Sequence, residues 1–487
     1  MRRLLALIAI AACSDASTKV PPVVLAPIPI VASTQVPDTD RAAARQALAF
    51  DAAAREARFL DAVDPGRTFR ATRLEQADID ADAVSTEYLF GVGALLFRHR
   101  FTPELGFGGA HLPPLSRVHL GRRGGPDSRT CTTCHWRGGP AGAGDAADHA
   151  YQDGDGDTPT SAFERNPPAL VGAGWVELLA AEMTRDLQVL RDSALATARA
   201  RGAPVTMKLT TRGVDFGKLT ARPDGTVDSG AIAGVDADLV VKPFGRKGSF
   251  RALRDAVEDA LLIHHGMQSE WLVRTAGPER VGAAGGADPD GDGVEREVTE
   301  GQVTALTAFV ALQDTPIETQ PEAPELAPVA LEGRTHFREL GCASCHVPSL
   351  PVSTSELPLP SRLSASVVTL DLARDATPPR PWHPEGERRL WLYSDLRRHD
   401  LGSELADARA DRGVAPALFL TPPLWGLAVS GPYLHDGRAH SLDDAVRAHG
   451  GEAAPARDAW LALAEDRRAS VRVFLTTLTR ARRWIVP

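Results

Sequence analysis

Two copies of the pattern Cys-x-x-Cys-His carry the chemistry of this chain, at residues 131–135 and 342–346. The pattern is the attachment sequence of a c-type haem, in which two thiols bond to the macrocycle and the next histidine binds iron from the proximal side. Together the two copies use four of the five cysteines. The sequence therefore predicts two covalently bound haems, held by Cys131, Cys134, His135, Cys342, Cys345 and His346.

Other uses of these cysteines fit the sequence less well. A zinc site of four cysteines would need the two pairs near each other in sequence, whereas they lie about 200 residues apart. A redox-active dithiol would need a βαβ setting, which the sequence does not indicate. Neither use accounts for a histidine directly after each pair, so the haem interpretation is favoured.

The distal side of each haem decides between electron transfer and catalysis, because a second strong ligand closes the iron. For the second haem, the letters SLDD at 441–444 predict the start of a helix. His449 then shares the apolar face of that helix with Leu442 and Val446, and two glycines follow it. We expect His449 to be the distal ligand, and a structural histidine in the core is the alternative. Methionine from the same domain is excluded, because the sequence has none there.

For the first haem the sequence offers several distal ligands and does not choose between them. His264, His265 and Met267 follow a stretch with helical apolar spacing, and His111 and His119 precede the haem motif. An open distal position is the other alternative. Reaction with peroxide would require an open position.

An acidic stretch resembles a calcium-binding loop, with carboxylates at its first, third and fifth positions: Asp288, Asp290 and Asp292. The twelfth position is not glutamate, so the bidentate ligand would have to be Glu297 or Glu300. A calcium site and a solvated acidic turn both stay open. A second acidic run, at 153–157, has a weaker pattern.

The first residues are typical of an export signal. A positive start and a short apolar run end at the letters IAAC, and the run is too short to span a bilayer. Residues 1–12 therefore predict a lipoprotein signal peptide, with Cys13 as the acylated anchor; an ordinary secretory signal is the alternative. We expect the chain on the periplasmic side of a bacterium, anchored to the outer membrane. Residues 13–40 are rich in Pro, Val, Ser and Thr and predict an extended tether.

The remaining sequence predicts a mainly α fold with two cytochrome c-like haem domains. Residues 41–312 would form the N-terminal haem domain, with a long insertion, and residues 329–487 the C-terminal one. Between them, 313–328 alternate Pro and Glu and predict a linker. A capping box at 299–302 predicts the helix that closes the first domain.

The sequence resembles the di-haem oxidoreductases described as thiol oxidoreductases or peroxidases, which are relatives of bacterial di-haem cytochrome c peroxidases and of the di-haem enzyme that matures methylamine dehydrogenase. The matching letters are YSDL at 393–396, HDLG at 399–402, TPPLWGL at 421–427, YLHDGR at 433–438 and HGGEA at 449–453. Looser matches are RNPP at 165–168 and FGRK at 244–247. The resemblance runs from about Tyr88 to Leu478.

The resemblance implies specific roles. In the relatives the helix after the His-Asp-Gly turn supplies the distal ligand of the C-terminal haem, which here corresponds to His449. It also implies a reactive N-terminal haem, a calcium ion between the haem domains and a distal acid, for which Glu177 is the candidate catalytic residue. The chain departs from the relatives shortly before Arg165, where it has Phe163 instead of a tryptophan between the haems.

These patterns predict an exported di-haem oxidoreductase, peroxidase-like, that acts on hydrogen peroxide or dioxygen. Its C-terminal haem would relay electrons from a donor protein or a small-molecule reductant to the N-terminal haem. Two alternatives stay open: a non-enzymatic di-haem electron carrier, and an oxygenase acting on an organic substrate with dioxygen. The formal net charge of −9 argues against a nucleic-acid partner. Membrane contact is predicted only through the lipid anchor.

Overall fold

A computed structural model describes residues 56, 62–64, 66–108, 118–119, 122–123, 128–152, 162–321, 323–381 and 388–480 of the chain. The predicted signal peptide, tether and anchor Cys13 lie outside the described residues, as do His111 and the acidic run at 153–157. Among the described residues, no helix has both the length and the apolar character needed to cross a membrane.

The structure is helix-rich, with 41% of it helical, which confirms the predicted predominance of helices. Before residue 313 the α-helices are α1 (Arg67–Ala71), α2 (Gln76–Asp80), α3 (Thr86–Arg98), α4 (Cys131–Cys134), α5 (Ala173–Arg201), α6 (Leu253–Ala260), α7 (Glu270–Thr275), α8 (Pro278–Val281) and α9 (Glu300–Ala311). A π-helical turn, Leu261–His265, continues α6. After residue 313 they are α10 (Ala327–Glu339), α11 (Leu372–Asp375), α12 (Leu442–Ala448), α13 (Ala454–Ala462) and α14 (Glu465–Thr477). Short 3-10 turns occupy Pro103–Leu105, Ala146–Asp148, Pro324–Leu326, Cys342–Ser344, Leu427–Val429 and Gly451–Ala453.

The strands are short and form small antiparallel sheets. Two-stranded sheets pair β1 (Val118–His119) with β2 (Arg122–Arg123), β3 (Ala150–Gln152) with β4 (Phe163–Arg165), β8 (Ile317–Glu318) with β15 (Leu478–Thr479), β9 (Leu350–Pro351) with β12 (Arg389–Leu390), β10 (Glu356–Pro360) with β11 (Val367–Asp371), and β13 (Arg398–Asp400) with β14 (Leu418–Leu420). One three-stranded sheet follows α5, in the order β5 (Val205–Thr211), β6 (Val214–Ala221), β7 (Val227–Asp228). That sheet and the long α5 lie in the predicted insertion.

Two pairs of helices flank the two haem motifs in sequence. Helix α3 packs on α9, and α10 packs on α14. Each contact includes a glycine at which a side chain would collide: a Cβ on Gly93 would lie 2.7 Å from Phe309 Cβ, and one on Gly333 2.9 Å from Val471 N. The helices therefore touch at their backbones, which fixes their crossing points. The predicted capping box at the start of α9 is confirmed, with Thr299 as the N-cap.

The main apolar core extends across the predicted domain boundary. It joins Phe69, Leu187 and Phe309 to residues such as Leu370 and Trp425 from the C-terminal part. A smaller core surrounds Phe337 and Phe474 on α10 and α14, with Tyr393 and Trp460. The division into domains at 41–312 and 329–487 therefore stays a prediction.

The predicted linker, 313–328, begins inside the molecule. Gln313 and Asp314 are each 1% exposed. The carboxylate of Asp314 is paired with the guanidinium of Arg480, at 2.8 Å from its Nε. Arg480 Nη1 also donates to Pro140 O, in the loop that follows the first haem motif. This buried ion pair fastens three distant stretches of sequence to one another.

Candidate functional site

The first haem motif begins a short helix. Thr130 caps α4 by accepting a hydrogen bond from Thr132 N, and His135 ends the helix. The Nδ1 of His135 lies 3.0 Å from Pro168 O and 3.2 Å from Gly142 O. A proton on Nδ1 that donates to these carbonyls leaves Nε2 as the nitrogen that can bind iron. Burial lowers the pKa of His135 to about 4, so the ring is neutral at physiological pH, as a metal ligand must be.

The second haem motif repeats this arrangement on a 3-10 turn, Cys342–Ser344. The Nδ1 of His346 lies 3.0 Å from Tyr393 O, which again leaves Nε2 for iron. Burial, and then the charge of His449, lower the pKa of His346 to about 4. Both histidines that follow a cysteine pair are therefore partly buried, oriented by a carbonyl and neutral.

None of the four cysteines of the two motifs forms a disulfide, and all four are partly buried. Burial raises the pKa of the Cys131 thiol to about 12 and that of Cys342 to about 11. A redox-active dithiol needs the opposite shift, because the thiolate is the reactive form. The environment fits cysteines that are bonded to a cofactor better than cysteines that exchange disulfides.

His449 lies where the sequence predicts it. Ser441 caps α12 by accepting from Asp444 N at 3.1 Å, and His449 is the first residue after the helix. Its Nδ1 lies 2.7 Å from Ala445 O, one turn back, and burial lowers its pKa. The charge of His449 contributes to the lowered pKa of His346, so the two rings are near neighbours. The second motif therefore has two neutral histidines in proximity, each with its Nδ1 oriented by a carbonyl.

Two histidines at the end of the π-helical turn lie near the first motif. The Nε2 of His265 is 3.4 Å from Cys131 Sγ, and its Nδ1 is 2.7 Å from Ser128 O. His264 is close enough to His135 for its charge to lower the pKa of that ring. Met267, by contrast, is fully buried in the main core. The side chain of His119 lies outside the described residues.

Glu177 lies on the first turns of α5 and is 9% exposed. Its Oε2 accepts a hydrogen bond from Leu253 N at 2.7 Å, at the start of α6. Burial raises the pKa of Glu177 to about 7, a value suited to general acid–base catalysis near neutral pH. The pKa of Glu177 thus suits a distal acid, and that role stays a prediction.

The three carboxylates of the acidic loop lie close together. One oxygen from each of Asp288, Asp290 and Asp292 lies within 4.8 Å of the others. Asp290 is fully buried, and its Oδ2 has no hydrogen-bond partner among the described residues. Burial raises the pKa of Asp290 to about 7, and burial together with these carboxylates raises that of Glu297 to about 10. Glu300 instead pairs with Arg254 at 2.9 Å, so Glu297 is the better fourth ligand.

A further buried cluster near the second motif was not predicted from the sequence. His399 is 5% exposed, and its two ring nitrogens lie 2.8 Å from Asp395 and 2.8 Å from Glu452. Its Nδ1 is also 3.8 Å from Cys345 Sγ. The sequence signal was the motif HDLG at 399–402, but Glu452 is 53 residues from His399. Such a distance hides the pairing from any local pattern.

Motifs from the two parts of the chain meet next to His135. Arg165 forms a two-point ion pair with Asp407, at 2.9 Å for each contact, and both side chains are buried. Asn166 donates from Nδ2 to Pro432 O at 2.6 Å and from its backbone to His435 O at 2.8 Å. The stretch RNPP, which continues to the carbonyl that orients His135, is thereby joined to the stretch YLHDGR.

Trp425 also lies where the two parts meet. A Cβ on Gly172, at the start of α5, would lie 2.8 Å from Trp425 Cη2, so the indole packs on that backbone. The indole Nε1 donates to Trp391 O at 2.7 Å, and Leu424 N donates to Leu392 O at 3.0 Å. These contacts place Trp425 between the segment that orients His346 and the segment that follows Pro168.

Two partly buried Cys-x-x-Cys-His sites, each with a histidine oriented to bind iron, define a di-haem redox protein. Residues 325–478 match the family model described as "Di-haem oxidoreductase, putative peroxidase". This match confirms, over that part of the chain, the resemblance recognised from the motifs. No curated protein matches the chain.

Two solved structures show a distant likeness. Hydrazine synthase of Kuenenia stuttgartiensis, pressurised with xenon, is 16% identical, with 37% of this chain and 55% of that chain covered and a TM-score of 0.22. The chain thus spans about half the length of that protein. A MauG-like protein associated with microbial copper homeostasis is 16% identical, with 59% and 81% covered and a TM-score of 0.26. Scores this low add nothing to the assignment made from the family match.

Proposed function

We propose that this chain is an exported c-type di-haem oxidoreductase with peroxidase-like activity, in which the haem of the second motif passes electrons to the haem of the first. The observation that carries the proposal is the position of His449, partly buried near His346, with its Nδ1 at 2.7 Å from Ala445 O. Two imidazole ligands would close the second iron and make it a relay. Chemistry is then left to the first site.

The residues fit covalently attached haems. When bound, the haems supply the redox chemistry of iron with peroxide or dioxygen. The protein supplies four thiols in two short turns, and His135, His346 and His449 supply Nε2 atoms. Each of these rings is held by a backbone carbonyl, which fixes both its orientation and the nitrogen that bears the proton.

Reduction of hydrogen peroxide to two molecules of water consumes two electrons and two protons. We propose that Glu177 moves a proton at the first site, because its pKa of about 7 lets it both give and take one near neutral pH. Replacing it as Glu177→Gln should lower the rate of peroxide turnover by roughly 10²-fold or more, while the haem spectrum stays unchanged. An unaltered rate would remove Glu177 from the reaction.

Electron transfer between the two sites has a contact route through Trp425. The indole packs against the start of α5 on one side and donates a hydrogen bond to Trp391 O, two residues before Tyr393, on the other. Tyr393 O orients His346, and Pro168 O, shortly before α5, orients His135. Electrons would enter the second site from a donor protein or a small reductant.

Electron paramagnetic resonance of the resting and half-reduced protein, with and without peroxide, tests the proposal. One low-spin haem and one high-spin haem whose signal changes with peroxide are expected. The variant His449→Ala should convert the low-spin signal to high-spin. Two low-spin signals that ignore peroxide in both states would reject peroxidase activity.

A second candidate function is electron transfer without catalysis. The position of His264 favours it, because the charge of this residue lowers the pKa of His135 and the two rings are therefore close. If His264 bound the first iron, both haems would be closed. The electron paramagnetic resonance experiment with and without peroxide distinguishes the two functions.

We also propose a calcium ion in the acidic loop. The donor set is all oxygen, as calcium prefers, and Asp290 Oδ2 is buried without a partner. Calorimetric titration of the haem-loaded protein with calcium should show one site that the variant Asp290→Asn weakens at least tenfold. The variant Asp224→Asn, at an exposed turn, is the control. Absence of binding to the unaltered protein would leave the loop as an acidic turn.

Export is proposed from residues 1–13 and from the haem motifs, because c-type haem is attached outside the cytoplasm. Labelling with radioactive palmitate should place lipid on the protein and not on the variant Cys13→Ser. A variant that stays labelled, or an unlabelled but exported parent, would favour an ordinary secretory signal.

A further inference from the structure

His399 is a buried histidine with two carboxylate partners. Its Nε2 lies 2.8 Å from Asp395 Oδ2 and its Nδ1 lies 2.8 Å from Glu452 Oε2. Burial alone would lower the pKa of His399, but hydrogen bonds to Asp395, Cys345 and Glu452 and the charge of Asp395 raise it to about 10. The ring therefore carries both protons at neutral pH and donates one to each side.

The two partners belong to the two segments that hold the ligands of the second haem. Asp395 lies two residues after Tyr393, whose carbonyl orients the proximal His346. Glu452 lies three residues after the distal His449. His399 thus bridges the proximal and distal sides of one site.

Further contacts reinforce the bridge. Glu452 Oε1 accepts a hydrogen bond from Asp400 N at 3.0 Å. A Cβ on Gly402 would lie 2.9 Å from Gly451 N, and one on Gly450 would lie 2.7 Å from Leu401 O, so the two backbones touch. The distance of 3.8 Å between His399 Nδ1 and Cys345 Sγ places the ring at the edge of the haem attachment site.

We propose that His399 is a positioning residue, which fixes the loop after His449 against the segment at 400–402 and thereby keeps the imidazole of His449 bound on the distal side of the second haem. This inference rests on the proposed ligation by His449. The need for such a bridge follows from the helix that presents the ligand. Helix α12 has seven residues, and a helix this short is not stable without tertiary contacts.

The exchange of His449 for an external ligand measures how firmly it is held. Cyanide is added to the oxidised, haem-loaded protein. Freeze-quench electron paramagnetic resonance then follows the loss of the low-spin signal that a haem with two imidazole ligands gives. We expect the variant His399→Asn to exchange about tenfold faster or more, because two charge-assisted hydrogen bonds are lost. Haem content and the low-spin signal before cyanide should be retained.

Two further variants complete the experiment. His440→Asn makes the same chemical change at an exposed histidine just before α12, and it should exchange at the parent rate. Glu452→Ala removes only the partner on the distal side, which is half exposed, and should accelerate exchange severalfold. It also serves if the variant of His399 does not fold.

The variant His449→Ala distinguishes a failure of the proposed ligation by His449 from a failure of the positioning role of His399. If it keeps the low-spin signal, ligation by His449 is wrong and the positioning role falls with it. If it loses that signal, while His399→Asn and Glu452→Ala exchange cyanide at the parent rate, the ligation holds and the positioning role alone is wrong.

Discussion

The two haem motifs have the same sequence pattern but different surroundings. Near Cys345 lies His399, whose two ring nitrogens are hydrogen-bonded to the carboxylates of Asp395 and Glu452, from two separate segments. Near Cys131 lies His265, whose ring nitrogens face a backbone carbonyl and the sulfur itself. The former sits on β13, and the latter ends a π-helical turn, an element found often at functional sites.

The difference shows that the motif Cys-x-x-Cys-His does not by itself distinguish an electron-transfer haem from a reactive one. The second site is built around fixed charges and a histidine, the proposed ligand, that follows a capped helix. The first site has two histidines on a turn whose hydrogen-bond pattern departs from the regular α-helix. A fixed environment suits electron transfer, whereas a reactive iron needs a distal side that can stay open.

The largest expected effect comes from removing one attachment site. The double variant Cys131→Ala, Cys134→Ala should lose one of the two haems and all reaction with peroxide, since the first site is the proposed place of chemistry. The matched double variant Cys342→Ala, Cys345→Ala should lose one haem but keep binding of peroxide at the first. Haem content per chain and stopped-flow spectra distinguish them. Equal loss of peroxide binding in both would erase the functional difference between the sites.

The next test concerns the first site alone. His264→Ala should leave the spin state of both irons unchanged if the first haem is open. His449→Ala, the matched change at the second site, should alter it. Resonance spectra of the oxidised variants provide the measurement. Conversion of a low-spin signal by His264→Ala would show that the two sites are equally closed and would favour the electron carrier.

The contrast also predicts a pH dependence of stability. The carboxylates raise the pKa of His399 from 6.5 to about 10, so the folded state holds a proton that the unfolded chain releases above 6.5. This stabilisation is complete below pH 6.5 and disappears as the pH rises through about 10. The free energy of unfolding of His399→Asn should be lower than that of the parent by at least about 1.5 kcal/mol at pH 6. The gap should close by pH 10, as chemical denaturation at each pH can show; a constant gap would contradict the proposed charge.

The smallest effect is expected at the contact between the two sites. Trp425→Phe keeps an aromatic ring against Gly172 but removes the hydrogen bond to Trp391 O and part of the ring. Electron transfer between the haems should slow severalfold, while both resonance signals stay unchanged. Flash photolysis of the half-reduced protein bound to carbon monoxide measures that rate. A parent-like rate would place the route elsewhere.

Local patterns predicted the parts of this structure that depend on neighbouring residues. The caps at Thr299 and Ser441 followed from spacing alone, and His449 lies one residue beyond the helix on which the spacing placed it. The cysteine motifs needed no structure either, because each is a pattern of five consecutive residues. These features were predictable because hydrogen bonds within four residues determine them.

What the sequence could not predict depends on distant partners. Asp395 and Glu452 have no common pattern until β13 and the loop after α12 are brought together. The three-stranded sheet after α5 was missed for a different reason. Its first strand alternates the exposed Lys208 and Thr210 with the more buried Met207 and Leu209, so the pattern of a half-buried strand is present in the sequence and the prediction overlooked it.

The ion pair between Arg480 and Asp314 has a consequence for the order of biosynthesis. Arg480 also donates to Pro140 O, 340 residues earlier in the chain, in the loop whose Gly142 O contacts His135. That loop cannot reach its final packing until residue 480 has been made and has folded back onto it. Cys131 and Cys134 therefore stay without their complete surroundings through most of synthesis. The proposed attachment of haem to these thiols would then precede the closing of the fold over them.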